Sequence, residues 1–78
     1  ERMQRLFKDS VTSIDYSENI VVIKTLPGAA QSIASLIDAA ELENVLGTVA
    51  GDDTIFIVVK PLKAVKGIIK DFEELINS

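Results

Sequence analysis

Two adjacent carboxylates, Asp52 and Asp53, sit in the segment Gly47-Thr48-Val49-Ala50-Gly51-Asp52-Asp53-Thr54. Neighbouring carboxylates in a turn repel one another unless they are solvated or share a cation. A planar guanidinium with five donors suits carboxylates that accept paired hydrogen bonds. A solvated hairpin turn, in which Asp supports the backbone, accounts for the same residues equally well. A second segment, Pro27-Gly28-Ala29-Ala30-Gln31, is followed seven residues after Gln31 by Asp38. Free amides at a helix start can receive a carboxylate, and two helical turns return Asp38 to the face of Gln31, so both can line one groove. A Pro-initiated helix with small residues for packing is the commoner reason for such a string.

Other chemistries find little support. The chain has neither Cys nor His, which removes thiolate nucleophiles, imidazole bases, disulfides and the usual zinc ligands. An aspartyl dyad in an exposed turn lacks the enclosure that tunes carboxylate pKa values. Asp52 and Asp53 without a nearby third carboxylate are thin for calcium. Neither catalysis nor a metal site is therefore expected.

The elements that must position these residues belong to one small domain of 78 residues. A chain of this size buries only roughly 60% of its unfolded surface. Disulfides, a metal or oligomerisation usually compensate, and the missing Cys and His leave oligomerisation. Hydrophobic residues make up 47% and charged residues 26%, a globular balance. No apolar run approaches the ~20 residues that span a bilayer, and no signal-peptide pattern is present, so no membrane partner and a cytoplasmic location are expected. The net charge of −4, with eight basic residues in no dense patch, argues against direct DNA binding and suits a cationic small ligand better. The first residue is Glu1 rather than Met, and a piece of a longer chain is expected.

Met3, Leu6 and Phe7 at helical spacing make residues 1–10 a short helix or the end of an interdomain linker. Residues 11–78 form the domain proper. Alternation in Val11–Tyr16 and the β-branched run Ile20–Thr25, joined by Ser17-Glu18-Asn19, predict a hairpin. Pro27-Gly28 then breaks the strand and opens a helix with Ile33, Leu36, Ile37 and Ala40 on one face. Strands Val45–Ala50 and Thr54–Val59 follow, and Gly51-Asp52-Asp53 is expected to supply the unusual dihedrals of a tight hairpin. After Pro61 a final helix carries Leu62, Val65, Ile69, Phe72 and Ile76 as an apolar stripe. The order ββαββα predicts an α+β two-layer sandwich: a four-stranded, mostly antiparallel sheet with two helices on one face. Such a sheet should alternate apolar and polar, yet Ile20–Ile23 and Ile55–Val59 are apolar on both faces. Another subunit is the expected cover.

Thr25–Asp38, TLPGAAQSIASLID, followed by Leu46–Phe56, LGTVAGDDTIF, is similar to the C-terminal domain of bacterial arginine repressors. The resemblance extends over nearly all of residues 11–78 and is densest in those two strings. It implies an effector-binding and oligomerisation domain that forms trimers, stacked as hexamers, with L-arginine as co-repressor between trimers and no other cofactor. By motif position, Gln31, Asp38, Thr48, Ala50, Asp52 and Asp53 line that pocket. Asp52 is expected to meet the guanidinium, reaching across to the opposing trimer. Gln31, Asp53 and backbone around Ala50 would hold the amino-acid end. Operator DNA would be reached only through a winged helix-turn-helix domain that precedes this one in the family and is missing from this sequence. A pocket tuned to citrulline or lysine, and a purely structural trimerisation module, are the alternatives. Lys63, Lys66 and Lys70 are most simply a solvated face.

Overall fold

Strict period-2 alternation in the two central strands decides which way the sheet faces. The computed structural model describes the backbone of residues 2–77 and the side chains of residues 4–77. Helix α1 (Arg2–Ser10) leads into strands β1 (Val11–Ser17) and β2 (Ile20–Thr25), then helix α2 (Ala30–Ala39). Strands β3 (Val45–Ala50) and β4 (Thr54–Val59) follow, and a short 3-10 turn (Leu62–Ala64) enters helix α3 (Val65–Asn77). The four strands form one sheet in the order β1-β2-β4-β3, and every neighbouring pair is antiparallel. The result is the expected two-layer α+β sandwich, with α1 adding a third helix.

Val21 and Ile23 of β2 and Ile55, Ile57 and Val59 of β4 point into the helical layer and are buried. Ala30, Ile33, Ala34 and Ile37 of α2 and Val65, Ile68 and Phe72 of α3 meet them. On α3 the buried line runs through Val65, Ile68 and Phe72, while Ile69 and Ile76 are half-buried. Leu62, expected to begin that stripe, is 57% exposed, because it lies in the 3-10 turn before the helix. Phe7 brings α1 into the same core: it is fully buried and its ring stacks on Phe72 with centroids 5.2 Å apart. Met3 lies outside the described side chains.

Local chemistry corrects two details of the chain path. Pro27-Gly28 does not open α2. The Ala29 N–H donates to the Leu26 carbonyl at 3.1 Å and Gly28 has φ +83°, the geometry of a type II turn with Pro second and Gly third. The helix starts after that turn, at Ala30. The β3–β4 turn does not use the dihedrals expected of it either. Among the described residues positive φ occurs at Glu18, Glu41, Asn44 and Gly28, and at none of Gly51, Asp52 or Asp53. That turn closes by a Gly51 N–H to Thr54 carbonyl bond of 2.9 Å.

The other face of the sheet has no cover within the described residues. Cross-strand neighbours Ile20 and Val58, Val22 and Phe56, and Phe56 and Val49 share that face, with Phe56 50% and Val49 72% exposed. No helix among the described residues is long and apolar enough to cross a membrane.

The stacked Phe7–Phe72 pair makes α1 part of the folding unit. Phe7→Ala should lower unfolding free energy by about 3–5 kcal/mol, a large share of what a small domain has. Arg5→Ala, one exposed position of the same helix, should stay within about 0.5 kcal/mol. Urea denaturation of both variants measures the difference, and equal small losses would show that α1 does not belong to the cooperative core.

Candidate functional site

The two motifs meet at the start of α2. Ala29 occupies the N-cap position and makes no side-chain capping bond, since a methyl group has nothing to offer the orphan amides there. The backbone carbonyl of Asp52 takes that place from the β3–β4 turn. It accepts N–H bonds from Gly28 at 3.1 Å and Ala30 at 3.2 Å. The Gly28 N–H also reaches the Asp52 carboxylate, Oδ2, at 3.2 Å. One residue further on, the Thr25 N–H donates to the Asp53 carbonyl at 2.9 Å. The acidic turn is thus zipped onto the loop before α2, and both its carboxylates remain on the exposed side.

This arrangement changes one expectation about the helix start. The Ala30 amide is taken by Asp52 and cannot receive a ligand carboxylate. The helical ladder begins where Ile33 donates to Ala29 at 3.1 Å, so the Gln31 and Ser32 amides lie outside it. Gln31 itself is exposed on the first turn of α2, beside Ala30.

Edge strand β3 carries the remaining candidates alongside α2. Thr48 opposes Ile57 and Ala50 opposes Ile55, both buried towards the helices, so register turns Thr48 and Ala50 to the α2 side. Thr48 Oγ1 donates to Asp38 Oδ1 at 2.9 Å. Asp38 stands near the C-terminal end of α2, about 12 Å along the helix from Ala30 at 1.5 Å per residue. Two groups result: Gln31, Ala50, Asp52 and Asp53 at one end, Asp38 and Thr48 at the other. Beyond Asp38 a recess of about 360 Å³ opens between α2 and β3, with Glu41, Leu46 and Gly47 on its walls. Gln31, Asp38, Asp52 and Asp53 are all exposed, and Thr48 and Ala50 are half-buried. The six residues form an open acidic strip along a sheet edge rather than an enclosed pocket. Among the described residues no group of three or more His, Cys, Asp or Glu side chains is placed to hold a metal ion.

Lys24 joins the site from outside both motif segments, and Gly28, Ala30 and Thr54 within them make contacts that residue types did not assign. The Gly28 and Ala30 amides hold the turn, as above. Thr54 Oγ1 donates to Asp53 Oδ1 at 3.0 Å, and Lys24 Nζ donates to Thr54 Oγ1 at 2.9 Å. Lys24 and Thr54 are register partners on β2 and β4. That pairing between distant segments is the signal that would have found them, and spacing along the chain does not contain it.

A two-layer α+β domain with one open apolar sheet face and an acidic sheet edge is the class that fold and site define. The model of the family "Arginine repressor, C-terminal domain" matches residues 7–74, and the chain belongs to that family. It is 60% identical over 75 residues to the arginine repressor of Syntrophomonas wolfei, covering 96% of this chain and 49% of that protein. Arginine repressors of Pelotomaculum thermopropionicum and Moorella thermoacetica are 53% and 55% identical, covering 96% and 95% of this chain and 50% and 49% of theirs. The chain therefore spans about half the length of the curated relatives it matches. The family is one of transcriptional repressors, not of enzymes.

The docked turn depends on the left-handed backbone at Gly28. A Cβ added there would meet nothing within 4 Å, so Gly28→Ala carries backbone strain without a clash. The expected loss is roughly 1–2 kcal/mol, readable by thermal denaturation. An unchanged midpoint would mean that the type II turn does not hold the Asp52 contact in solution.

Proposed function

We propose that this chain is the effector-binding and oligomerisation domain of an arginine-responsive repressor that controls arginine metabolism, and that it binds L-arginine between trimers. One observation carries the reading: the docked turn holds the adjacent Asp52 and Asp53 carboxylates on an open edge, with Asp38 further along the same strip. Like charges fixed together favour a cation between them, and arginine brings a guanidinium, an α-ammonium and a net charge of about +1 at neutral pH. Asp52 takes the guanidinium, reaching across to the opposing trimer. Gln31, Asp53 and the backbone around Ala50 hold the amino-acid end, while Thr48 fixes Asp38 at the far end of the strip. No other cofactor is needed.

The open strip supplies only part of a binding site, and a second copy supplies the rest. The apolar outer face of Val22, Val49 and Phe56 forms the contact within each trimer, and trimers stack as a hexamer with arginine at the seam. Arginine bound there acts as counter-ion and adhesive, stabilising the hexamer or changing the angle between trimers. Operator DNA is engaged in the cytoplasm through a separate winged helix-turn-helix domain, and this domain transmits the ligand state to it.

Calorimetry with L-arginine tests the site. Removing one partner of a buried, hydrogen-bonded charge pair costs roughly 2–5 kcal/mol, and ~1.4 kcal/mol is a factor of ten. Asp52→Asn should therefore weaken binding at least tenfold, while Asp71→Asn on the exposed side of α3 changes little. Unchanged affinity for Asp52→Asn would remove that residue from the site, and equal heats from L-lysine or citrulline would redefine the ligand. Sedimentation velocity tests the assembly. The parent chain should move from trimer towards hexamer when millimolar L-arginine is added, and Phe56→Glu should sediment as a monomer in either condition. A monomeric parent chain would contradict the role given to the outer face.

A further inference from the structure

A threonine hydroxyl has one proton to give and can accept bonds on its oxygen, whereas a lysine ammonium only donates. Lys24 Nζ stands 2.9 Å from Thr54 Oγ1, and the same oxygen stands 3.0 Å from Asp53 Oδ1. The order of donors along this chain of contacts is therefore fixed. Lys24 fills an acceptor position on Thr54, and the hydroxyl proton is directed at the Asp53 carboxylate. Asp53 is also held by its backbone, through the Thr25 N–H to its carbonyl at 2.9 Å. With the main chain pinned, the freedom left to Asp53 is that of its side-chain torsions, and the Thr54 hydroxyl restrains these by occupying Oδ1.

We propose that Thr54, its proton direction set by Lys24, is a positioning residue that aims the Asp53 carboxylate so that Oδ2 faces the ligand. The inference rests on the arginine-binding reading above. Neither residue touches the ligand. Lys24 lies on the outer face at the end of the β2–β4 pairing, so its contribution reaches the strip only through the hydroxyl. A threonine retained merely for strand packing would act on stability instead, and valine of the same shape would replace it without loss of binding.

The test pairs arginine calorimetry with urea denaturation on Thr54→Val, Thr54→Ser, Lys24→Met, Asp53→Asn and the double variant Asp53→Asn with Thr54→Val. Thr54→Val should weaken L-arginine binding about tenfold, a ~1.4 kcal/mol change, while its urea midpoint stays at the parent value. Thr54→Ser, which keeps the hydroxyl, should restore parent affinity, and Lys24→Met should fall between parent and Thr54→Val. In the Asp53→Asn background, adding Thr54→Val should produce no further loss, since its route to the ligand is gone. Parent-like affinity for Thr54→Val would overturn the proposal. So would a loss of equal size in the Asp53→Asn background. A parent chain that gives no heat with L-arginine would overturn the underlying reading, and this one with it.

Discussion

The acidic strip depends on one backbone carbonyl, that of Asp52, sitting over the start of α2. The helix supplies no cap of its own, because Ala29 stands where Ser, Thr, Asn or Asp would serve. Its first amides therefore need an acceptor from elsewhere, and the distant β3–β4 turn delivers one to Ala30, the Asp52 carbonyl at 3.2 Å. Each such bond contributes about 1 kcal/mol, and the carbonyl's negative end suits the positive end of the helix. Only a residue able to adopt φ +83° can aim the preceding amide at the same oxygen, which explains Gly28. Residue 52 thus divides its work: its carbonyl caps the helix, while its exposed carboxylate accepts a single bond, from the Gly28 N–H through Oδ2. Asp52→Asn leaves the capping carbonyl in place and keeps a side-chain oxygen for that amide, so it disturbs the fold less than a truncation to Ala would.

The β3–β4 hairpin ties the acidic strip to the uncovered sheet face. Within two residues of one another, Val49 points outward beside Phe56 while Thr48 and Ala50 point towards α2. Period-2 alternation makes this unavoidable, since a strand with one face at the strip has its other face on the outer surface. A domain of this size gains little further core from its own residues. The exposed Phe56 and Val49 are the reserve of apolar area that association can bury. Any shift of the hairpin on burying that face moves the Asp52–Asp53 turn, because both are carried by the same two strands.

Alternation and turn residues made the four strands, their hairpins and the two-layer architecture legible, because those signals act between near neighbours in sequence. What they missed was set by contacts between distant segments. Pro27-Gly28 reads as a helix opening only until the Leu26–Ala29 bond shows a separate type II turn. Gly51-Asp52-Asp53 reads as a turn held by its own dihedrals, whereas docking on Gly28 and Ala30 supports it instead. The stripe on α3 loses only Leu62, which the 3-10 turn at Leu62–Ala64 places before the helix, while Val65, Ile69, Phe72 and Ile76 all pack on the core. Of the strip, residue types gave the carboxylates and family resemblance gave the set. The Asp38–Thr48 bond and the Lys24–Thr54–Asp53 chain follow from strand register and helix placement, which composition does not encode.

The proposed coupling between ligand and assembly takes its sign from solvation. In a lone protomer the Asp52 and Asp53 carboxylates face water, which screens their repulsion and satisfies the lone pairs that the Gly28 N–H and the Thr54 hydroxyl leave open. Bringing another copy over the strip removes that water, and desolvating an ion without a partner is costly. On the proposed reading, association without ligand is opposed at this edge even while the apolar face favours it. A cation with several donors reverses the balance at the seam, since it supplies both charge and hydrogen bonds in place of water. Ligand and partner subunit then favour each other reciprocally, as linkage requires. A neutral side chain of similar shape would replace the hydrogen bonds but not the charge. On the proposed reading, discrimination by charge and control of assembly thus arise from the same pair of carboxylates.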